Sequence, residues 1–563
     1  MSTEPWLNKY PPDVDWNAEI LAKPLYALID DAVHRYPNNP CIDFLGRKFT
    51  YVNIGRQIDH AAAGFQKLGV GKGIKVGLFL PNCPQFVIAY YGVLKAGGTV
   101  VNYSPLYSEP EILHQVEDSQ TDIMVTLNLK VLYPKMAAML RQSRVRHLVV
   151  GTLPDVLPFP KNLLYPLAKS KDVAKVPNDR NHSSFRELLN NDGAYQPAAV
   201  DLERDIAVLQ YTGGTTGVSK GAMLTHANLY INAVQAAMWS TIVEPGHERV
   251  LGVLPFFHVF AMTVVLNQAI LIGAEIIMHP RFELAAALKD IDGKKPSLMP
   301  GVPTMFAAIN NYPQLADFDL SSLKACISGG APLPLEVKQR FEEHSGCKVF
   351  EGYGLTETSP VATANPMDGE NKENSIGLPV PRTRIVITDR EDPHKVLTVG
   401  ETGEICIEGP QVMAGYWRNE EATAATIVDS RLHTGDVGYM DEDGYTFIID
   451  RMKDLILTGG FNVYPRNVEE AIYQHPAVAE CTVIGVPDDY YGQSVKAFVK
   501  LSDGDSLTAD QLLDFLRDRL GKHELPKHVE FREELPKTMI GKLSKKELVA
   551  EEMEKYQLAK AAE

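Results

Sequence analysis

Short apolar runs that alternate with helical segments constrain the fold of this chain more than any other feature. The run Lys75–Leu80 indicates a buried strand that stops at Pro81-Asn82, and a helical segment follows over 84–95. After Ala96-Gly97-Gly98, the next strand is predicted at Thr99–Val101. A strand, a helix and a second strand at this spacing predict a parallel sheet with crossover helices. Further strands are predicted at Ile123–Thr126, Val145–Val150, Ile206–Gln210, Val250–Leu254, Glu275–Met278 and Ala325–Ser328.

The pattern changes twice farther along the chain. Residues 152 to 195 are rich in Pro, Lys, Asn and Asp and show little periodicity, so we expect an irregular surface segment there. From 384 to 450, short alternating strands separated by Gly and Asp turns predict a β-rich subdomain without helices. A charged turn then precedes a new strand, helix and strand pattern and is a predicted hinge. We therefore predict an α/β protein whose large N-terminal domain (1–450), made of parallel-sheet subdomains plus the β-rich subdomain, is hinged at 451–454 to a small α+β C-terminal domain (455–563).

Length and charge limit the classes of function. A chain of 563 residues exceeds what one hydrophobic core usually serves, so at least two domains are expected. A formal net charge of −16 argues against nucleic acid as a partner, because phosphate backbones require a basic surface. The six cysteines are scattered without close pairs, which indicates buried thiols in a reducing compartment.

Neither a targeting segment nor a membrane span is predicted. The N-terminus lacks a basic stretch followed by an apolar one, so we expect no secretory signal and a cytoplasmic location. The segment Val250–Ala274 contains no Asp, Glu, Lys or Arg and is long enough to cross a membrane. Pro255 and His258 interrupt it, however, and we predict a buried strand and helix instead.

The glycine-rich stretch Tyr211–Gly221 is the first candidate for chemistry. It contains four glycines, three threonines and Lys220 directly after the predicted strand Ile206–Gln210. Glycines allow backbone N–H groups to turn inward, threonine hydroxyls add donors, and the lysine adds a cation, so the loop suits a polyphosphate. The spacing differs from the phosphate loop of P-loop NTPases, since Lys220 follows Ser219 and precedes Gly221. An ordinary turn is the simpler alternative.

Further polar clusters follow other predicted strands or turns. Gly352–Pro360 offers Tyr353 as a flat face for a base and Glu357 as a carboxylate of the kind that holds Mg²⁺ beside phosphates. The segment Ser328–Leu333 follows a buried strand, where open parallel sheets bind ligands. Asp436 could accept hydrogen bonds from both hydroxyls of a ribose. Each cluster could also be a simple turn. Lys542 lies between apolar residues near the C-terminus, where a solvated lysine is the alternative.

Together and in this order, these clusters resemble the adenylate-forming superfamily of acyl-CoA synthetases, peptide-synthetase adenylation domains and luciferases. The resemblance spans nearly the whole chain and is strongest to bacterial long-chain fatty-acid CoA ligases. Gly409–Trp417, His433–Asp436 and Gly459–Pro465 carry it, together with Trp6–Pro11 and Val101–Tyr107. Enzymes of this kind join a carboxylate to the α-phosphorus of ATP, release pyrophosphate, and then displace AMP with the thiol of CoA.

The resemblance implies a role for individual residues. Thr356 should touch the α-phosphate, Glu357 should bind Mg²⁺, and Lys542 should bridge the attacking carboxylate and the α-phosphate. Lys453 falls at the hinge position of the family, although many relatives carry Asp there. The implied ATP- and CoA-binding residues are Thr212, Gly213, Gly214, Thr215, Thr216, Gly217 and Lys220 for the β- and γ-phosphates, Gly330, Ala331, Pro332, Gly352, Tyr353 and Gly354 around adenine, Asp436 and Arg451 for the ribose, and Gly459 and Gly460 toward the pantetheine channel.

The acyl group and the partners complete the expectations. By resemblance, Pro255–Phe260 and Gly301–Phe306 should line an apolar tunnel with His258 near the carboxylate, although a satisfied core histidine is the alternative. Val259 and Phe260 stand where amino-acid-activating relatives carry an aspartate beside an aromatic residue, so an amino acid is disfavoured. A long-chain fatty acid is the implied substrate, with ATP, Mg²⁺ and CoA. A medium-chain or aryl-CoA ligase and an inactive nucleotide-binding scaffold are the alternatives. The sequence leaves open a peripheral contact with the inner membrane face and a homodimer.

Overall fold

The computed structural model describes residues 4–212, 219–458, 461–502, 504–538 and 541–562. Its first part alternates helices and strands as predicted. The elements are α1 (Ala27–Arg35), β1 (Pro40–Phe44), β2 (Arg47–Thr50), α2 (Tyr51–Lys67), β3 (Lys75–Leu78), α3 (Pro84–Lys95), β4 (Thr99–Asn102), α4 (Glu109–Ser119), β5 (Ile123–Leu127), α5 (Tyr133–Gln142), β6 (His147–Gly151), α6 (Lys161–Ala168), β7 (His182–Ser184), α7 (Phe185–Leu188), β8 (Ile206–Thr212), β9 (Lys220–Thr225) and α8 (His226–Trp239).

The middle of the chain repeats the alternation and then turns to strands. It contains β10 (Arg249–Gly252), a π-helix (Ala261–Asn267), α9 (Gln268–Leu271), β11 (Glu275–Met278), α10 (Leu284–Lys294), β12 (Leu298–Gly301), α11 (Pro303–Asn310), β13 (Ala325–Ser328), α12 (Leu335–Ser345), β14 (Lys348–Gly354), β15 (Val361–Ala364), β16 (Leu378–Pro379), β17 (Arg384–Thr388), β18 (Gly403–Glu408), α13 (Glu420–Thr426), β19 (Ile427–Val428), β20 (Arg431–Met440) and β21 (Thr446–Arg451).

Two large sheets with mainly parallel pairing form the N-terminal domain. One has seven strands in the order β7-β6-β5-β3-β4-β8-β9, and only the β8–β9 hairpin is antiparallel in it. The other has nine strands in the order β16-β15-β14-β13-β12-β10-β11-β1-β2. Because its central strands from β1 to β14 run parallel, the segments after β12, β13 and β14 emerge at one edge. The predicted clusters Ser328–Leu333 and Gly352–Pro360 therefore share that edge.

Helix α3 follows β3 of the seven-stranded sheet and contacts the part of the domain that contains the nine-stranded sheet. All of its residues are buried, and its first turn begins at Pro84, whose missing N–H needs no partner there. The Tyr91 hydroxyl donates to Asn267 Oδ1 at 2.8 Å, which joins α3 to the π-helix of the second half. Val250–Ala274 thus forms a buried strand and helix, as predicted. Among the described residues, no helix combines the length and the apolar character that a membrane crossing requires.

Two sequence expectations about local structure were wrong. Residues 152 to 195 are not wholly irregular, since α6 forms there and β7 extends the seven-stranded sheet beside β6. The β-rich subdomain is not free of helices, because α13 begins where Asn419 Oδ1 accepts a hydrogen bond from the Ala422 N–H at 2.9 Å. Both helices are too short for the apolar periodicity that identifies longer ones.

The remaining strands form two smaller sheets. Strands β17, β18, β20 and β19 form the β-rich subdomain, with β21 paired to β20. The C-terminal domain contains β22 (Ile456–Thr458), β23 (Phe461–Val463), α14 (Pro465–Tyr473), β24 (Val478–Asp488), β25 (Gly492–Leu501), α15 (Ala509–Arg517), β26 (His528–Phe531) and α16 (Lys545–Ala562). Its strands make a separate five-stranded sheet, and its buried apolar side chains form clusters distinct from the large N-terminal core. This architecture confirms the predicted fold class.

Candidate active site

The β8–β9 hairpin places Lys220 beside the predicted magnesium ligand. Thr212 and Lys220 are register partners at the loop end of the hairpin. The Lys220 ammonium lies 5.1 Å from the centre of the Tyr416 ring. The Tyr416 hydroxyl donates to Glu357 Oε1 at 2.6 Å, and burial followed by the nearby Glu357 carboxylate raises the pKa of Tyr416. The predicted loop residues between the strands, Gly213, Gly214, Thr215, Thr216 and Gly217, lie outside the described residues.

The segment Gly409–Trp417 reaches this position because it is hydrogen-bonded to β9. The Met223 N–H donates to the Gly415 carbonyl at 2.9 Å, and the Trp417 N–H donates to the Gly221 carbonyl at 2.8 Å. Beside Lys220 a cavity of about 240 Å³ opens. It is lined by His114, Asp118, Ser219, Lys220, Gly221, Trp417, Arg418 and Asn419. Lys220 and Arg418 are cations, Ser219 and Asn419 carry hydroxyl and amide donors, and Asp118 adds a carboxylate. Cations and such donors are the chemistry that phosphate oxygens require.

Thr356 and Glu357 lie in a single 3₁₀ turn that follows β14. The Glu357 carbonyl accepts a hydrogen bond from the Met413 N–H at 2.8 Å, so the turn is fixed to the Gly409–Trp417 segment. Gly354 has a packing role here, since a Cβ on it would lie 1.7 Å from the Pro360 carbonyl oxygen. A Cβ on Gly352 would make only ordinary contacts. Its small size leaves the backbone accessible to a ligand.

Asp436, Arg451 and Tyr353 form one polar cluster. Asp436 and Arg451 are register partners on β20 and β21, and Arg451 Nε contacts Asp436 Oδ1 at 2.9 Å. The Tyr353 hydroxyl donates to Asp436 Oδ2 at 2.6 Å. The Asp436 carboxylate raises the pKa of Arg451, and burial raises the pKa of Tyr353. Each Asp436 oxygen carries one such contact and keeps a further lone pair for a ligand hydroxyl.

Glu404 positions this cluster, and no sequence motif pointed to it. Its Oε1 accepts from the Gly435 N–H at 2.8 Å, and its Oε2 is 2.7 Å from His433 Nδ1. Gly435 has a φ of +73°, a conformation that suits glycine, and it directly precedes Asp436. Ligand atoms of Glu404, Cys406 and His433 lie within 4.8 Å of one another, as a metal site would require. Because His433 Nδ1 already pairs with Glu404, we interpret the group as a structural network.

Lys542 extends from the C-terminal domain onto the loop after β13. A Cβ atom on Gly330 would lie 2.6 Å from Lys542 Cε and 3.1 Å from its Nζ, and Gly330 has a φ of +87°. Ala331 and Pro332 continue this loop toward α12. The Thr304 hydroxyl donates to the Gly541 carbonyl at 2.7 Å, so the N-terminal domain holds the residue before Lys542. Burial, with Arg451 nearby, lowers the pKa of Lys542 to about 8 against the opposing effect of Asp436.

His258 points an unpaired nitrogen into the same region. Its buried Nε2 has no hydrogen-bond partner among the described residues. Burial, followed by the charge of Lys542, lowers the pKa of His258 to about 3, so the imidazole is neutral at physiological pH. The neutral ring has one N–H donor and one acceptor nitrogen, and either kind of buried nitrogen is costly without a partner. A ligand oxygen such as that of a carboxylate would satisfy Nε2 in the tautomer that carries the proton there.

The predicted acyl-binding segments adjoin these groups. Gly301 and Gly329 pair by a 3.2 Å N–H to carbonyl hydrogen bond at the ends of β12 and β13. A Cβ on Gly329 would lie 3.0 Å from the Phe260 ring, and one on Gly301 would lie 3.1 Å from Phe306. Deeper between the π-helix and the sheet lies an apolar cavity of about 10 Å³. It is lined by Ser240, Val250, Val264, Gln268, Ala269, Ile272, Leu298, Pro300 and Ile327.

Most of the predicted site residues thus come together at one edge of the nine-stranded sheet and at the domain boundary. Lys542 joins Gly330 there, Tyr353 joins Asp436 and Arg451, and Glu357 joins Lys220 through Tyr416. Gly459 and Gly460 lie outside the described residues. Such an arrangement provides a cation for two anions, a carboxylate for a metal ion, and a carboxylate for vicinal hydroxyls.

The chain belongs to the AMP-binding enzyme family. The family model "AMP-binding enzyme" matches residues 29–417, and "AMP-binding enzyme C-terminal domain" matches residues 467–542. The long-chain-fatty-acid–CoA ligase of Bacillus subtilis (strain 168) is 46% identical over 561 residues, which cover 99% of this chain and 100% of that protein.

Solved structures agree with this assignment. ATP-bound MatB from Rhodopseudomonas palustris superposes with a TM-score of 0.82 at 28% identity, covering 94% of this chain and 99% of that one. The o-succinylbenzoate coenzyme A synthetase MenE from Bacillus subtilis, in complex with ATP and magnesium ion, gives a TM-score of 0.74 at 26% identity, covering 93% and 98%. The predicted family is therefore confirmed.

Proposed function

We propose that this chain is an ATP-dependent long-chain fatty acid:CoA ligase. A fatty-acid carboxylate oxygen attacks the α-phosphorus of ATP, the bond to the β-phosphate oxygen breaks, and pyrophosphate leaves. The thiolate of CoA then attacks the acyl carbon of the adenylate, and AMP leaves. The position of Lys542 against Gly330 carries the proposal, since it brings a cation from the C-terminal domain into the predicted nucleotide site. The identity to the Bacillus subtilis ligase supports the acyl substrate.

The polar cluster of Tyr353, Asp436 and Arg451 would hold the nucleoside. Asp436 would accept the ribose hydroxyls with its remaining lone pairs, while the Arg451 contact keeps the carboxylate oriented. Adenine would lie between the Gly330–Pro332 loop and the Gly352–Gly354 strand end. Small residues on both sides let the backbone approach a flat ring closely.

The phosphates would lie between Lys220 and the Thr356–Thr358 turn. Lys220 and the loop from Thr212 would bind the β- and γ-phosphates, and Thr356 would contact the α-phosphate. Glu357 fits an Mg²⁺ ligand, because its carboxylate oxygens are hard donors and the hydrogen bond from Tyr416 to Oε1 orients the group. When bound, the ion would neutralise charge on the leaving pyrophosphate.

His258 and Lys542 would orient the attacking carboxylate. In the tautomer with the proton on Nε2, His258 would donate to one carboxylate oxygen, while Lys542 would reduce the repulsion between carboxylate and α-phosphate. The acyl chain would extend past Phe260 toward the apolar cavity beside the π-helix. A volume of about 10 Å³ holds about one water at most, so the chain must displace side chains such as Val264 to enter.

The second half-reaction would require a different domain arrangement. Residues 451–454 are the proposed hinge between the domains 1–450 and 455–563, and the Met452–Asp454 turn lies there. Rotation at Lys453 would withdraw Lys542 and bring Gly459-Gly460 toward the CoA thiol. The separate apolar clusters of the C-terminal domain support this idea, since the two domains do not share a core.

The reaction and its substrates also support a cytoplasmic location.

The test is CoA- and ATP-dependent pyrophosphate release with straight-chain acids from acetate to oleate. Benzoate and a set of amino acids serve as controls for the acyl site. Turnover that is highest with palmitate or oleate is the expected result. A maximum at octanoate or benzoate would replace the substrate by a medium-chain or aromatic acid with the same mechanism. Absence of pyrophosphate release with every acid would refute the enzyme and favour a nucleotide-binding scaffold.

A further inference from the structure

Four large apolar side chains are exposed together on the segment that surrounds α6. The exposed fractions are 79% for Phe159, 63% for Leu163, 55% for Leu164 and 78% for Leu167. We call these four residues the α6 patch. Soluble proteins rarely expose large contiguous apolar patches, and such patches commonly mark interaction sites, whereas single exposed apolar residues are ordinary. None of the roles proposed for the active site uses them.

The patch is held by a packed base. Tyr165, also on α6, packs against the main core, and Val156 and Leu157 just before the patch are buried. Arg47, in the β1–β2 hairpin, donates through Nη1 to the Asp155 carbonyl at 2.7 Å. The inner side of the segment is therefore anchored, so the exposed leucines are not left over from an unpacked helix. The four exposed side chains therefore form a surface that is held in one orientation relative to the domain.

The charges around the patch select one kind of partner. Residues 156–171 contain Lys161, Lys169 and Lys171 but no Asp or Glu, although the whole chain carries −16. All three lysines are exposed. Lys169 Nζ is 3.6 Å from Asp172, so one of the three has a nearby acid in the structure. An apolar surface bordered by cations suits a bilayer with anionic headgroups. A second copy of the same patch would bring like charges together.

The seven-stranded sheet determines where the patch lies relative to the predicted phosphate-binding residues. The patch follows β6, and β8, which ends at Thr212, runs parallel to β6 through the intervening strands β5, β3 and β4. The patch and Thr212 therefore lie at the same edge of the sheet. The two strands are four strand spacings apart in the sheet order, about 19 Å at the usual separation. A membrane at this edge would lie near the ATP-binding side of the N-terminal domain.

We propose that the α6 patch docks the protein on anionic phospholipid membranes, with the four apolar side chains in the acyl boundary and the lysines at the headgroups. The proposal rests on the proposed function, because a long-chain acid partitions into lipid and an enzyme that uses it gains by residing there. In such binding, the insertion of apolar side chains and the attraction of lysines to anionic headgroups are each weak, and together they hold the protein on the membrane. The docking is peripheral and reversible.

The experiment measures sedimentation of the full chain with vesicles. One set contains equal parts of phosphatidylglycerol and phosphatidylethanolamine, and the other contains phosphatidylcholine alone. The patch variant carries Phe159→Ser, Leu163→Ser, Leu164→Ser and Leu167→Ser. The control variant carries Leu21→Ser and Leu558→Ser, which are 72% and 64% exposed but lie outside the patch.

We expect the wild type and the control variant to sediment with the anionic vesicles. Each leucine that enters hydrocarbon contributes roughly tenfold to partitioning, so the patch variant should bind at least about 100-fold more weakly. A variant with Lys161→Glu, Lys169→Glu and Lys171→Glu should lose the preference for anionic over neutral vesicles. Equal binding by wild type and patch variant, or no binding by the wild type, would overturn the proposal.

Two further measurements separate this proposal from its alternatives. All variants should release pyrophosphate from octanoate in solution at the wild-type rate, whereas the patch variant should use oleate delivered in anionic vesicles more slowly. Absence of pyrophosphate release by the wild type with every acid, in solution and in vesicles, would contradict the proposed function and leave vesicle binding intact. A wild-type dimer that the patch variant converts to a monomer in sedimentation velocity would show a second copy on the patch and refute the membrane assignment.

Discussion

Gly330→Ala tests the placement of Lys542 most directly. The added methyl would lie 2.6 Å from Lys542 Cε and 3.1 Å from Nζ, closer than the 3.5–4.0 Å of ordinary carbon contacts. The affected atoms are the far end of a flexible side chain, so the lysine can move aside at little cost to folding. Its ammonium would then leave its proposed position beside the reacting groups. A displacement of about 1 Å in a catalytic group can slow a reaction roughly 100-fold, and we expect a loss of that order in adenylate formation.

The magnitude can be compared with complete removal of the ammonium. One well-placed electrostatic group is commonly worth about 2.7–4 kcal/mol, so Lys542→Ala should slow adenylate formation roughly 100- to 1000-fold. If the Gly330→Ala effect acts through Lys542, it should largely disappear in the Lys542→Ala background. Pyrophosphate exchange measures this step, while thioester formation from preformed acyl-adenylate should change much less in all three variants.

Gly346→Ala is the matched control for backbone strain. Gly346 ends α12 with a φ of +68°, and an added Cβ would meet no atom within 4 Å. Both substitutions force alanine into the left-handed region at about 1–2 kcal/mol, so they should lower the free energy of unfolding similarly. Only Gly330→Ala should slow adenylate formation. If Gly330→Ala slowed adenylate formation by the same factor in the wild type and in the Lys542→Ala background, the methyl would act on nucleotide binding alone. That result would refute the proposed contact between Gly330 and Lys542.

Three further predictions concern the domain boundary and pH. Thr304→Val removes the hydrogen bond to Gly541, worth about 0.5–1.5 kcal/mol, and should slow pyrophosphate exchange about two- to tenfold while sparing thioester formation; equal slowing of both steps would contradict it. Lys453→Pro fixes φ at the proposed hinge and should slow thioester formation with pyrophosphate exchange largely intact, so unchanged overall turnover would argue against domain rotation. Because the proposed role of Lys542 requires its protonated form, kcat/KM for adenylate formation should fall as pH rises through about 8, and Lys542→Arg should remove that decline. A wild-type profile that is flat to about pH 10 would exclude a role for the charge of Lys542.

The sequence predicted regular elements well where apolar runs end at glycine or proline. The helix 84–95 and the strands Glu275–Met278 and Ala325–Ser328 have the predicted bounds. Strong local signals mark these elements, and tertiary packing did not override them. Helices α6 and α13 were missed, because one or two turns give too few residues for a periodic pattern.

The candidate site likewise contains residues that the sequence identified and contacts that it did not. Motif residues such as Asp436 and Tyr353 were identified from the residue types and the resemblance, and the structure brings them within hydrogen-bonding distance. Glu404 was not identified as a contact of the site, and Thr304, in the segment predicted to line the acyl tunnel, was not identified as a partner of Gly541. Their partners, Gly435 and Gly541, are distant in sequence, and the pairing depends on strand register and on the approach of two domains. No local pattern encodes such contacts.

The energetics of Lys542 connect domain closure to ligand binding. A lysine whose pKa falls from 10.5 to about 8 is less stable as a cation by roughly 3 kcal/mol, because burial and Arg451 outweigh the attraction of Asp436. The Thr304 hydrogen bond to Gly541 offsets only about 1 kcal/mol of this cost. An ATP α-phosphate and a carboxylate would supply the missing negative charge. They would therefore favour the closed arrangement over any other in which Lys542 is solvated, and their conversion to the adenylate and departing pyrophosphate would remove part of that preference.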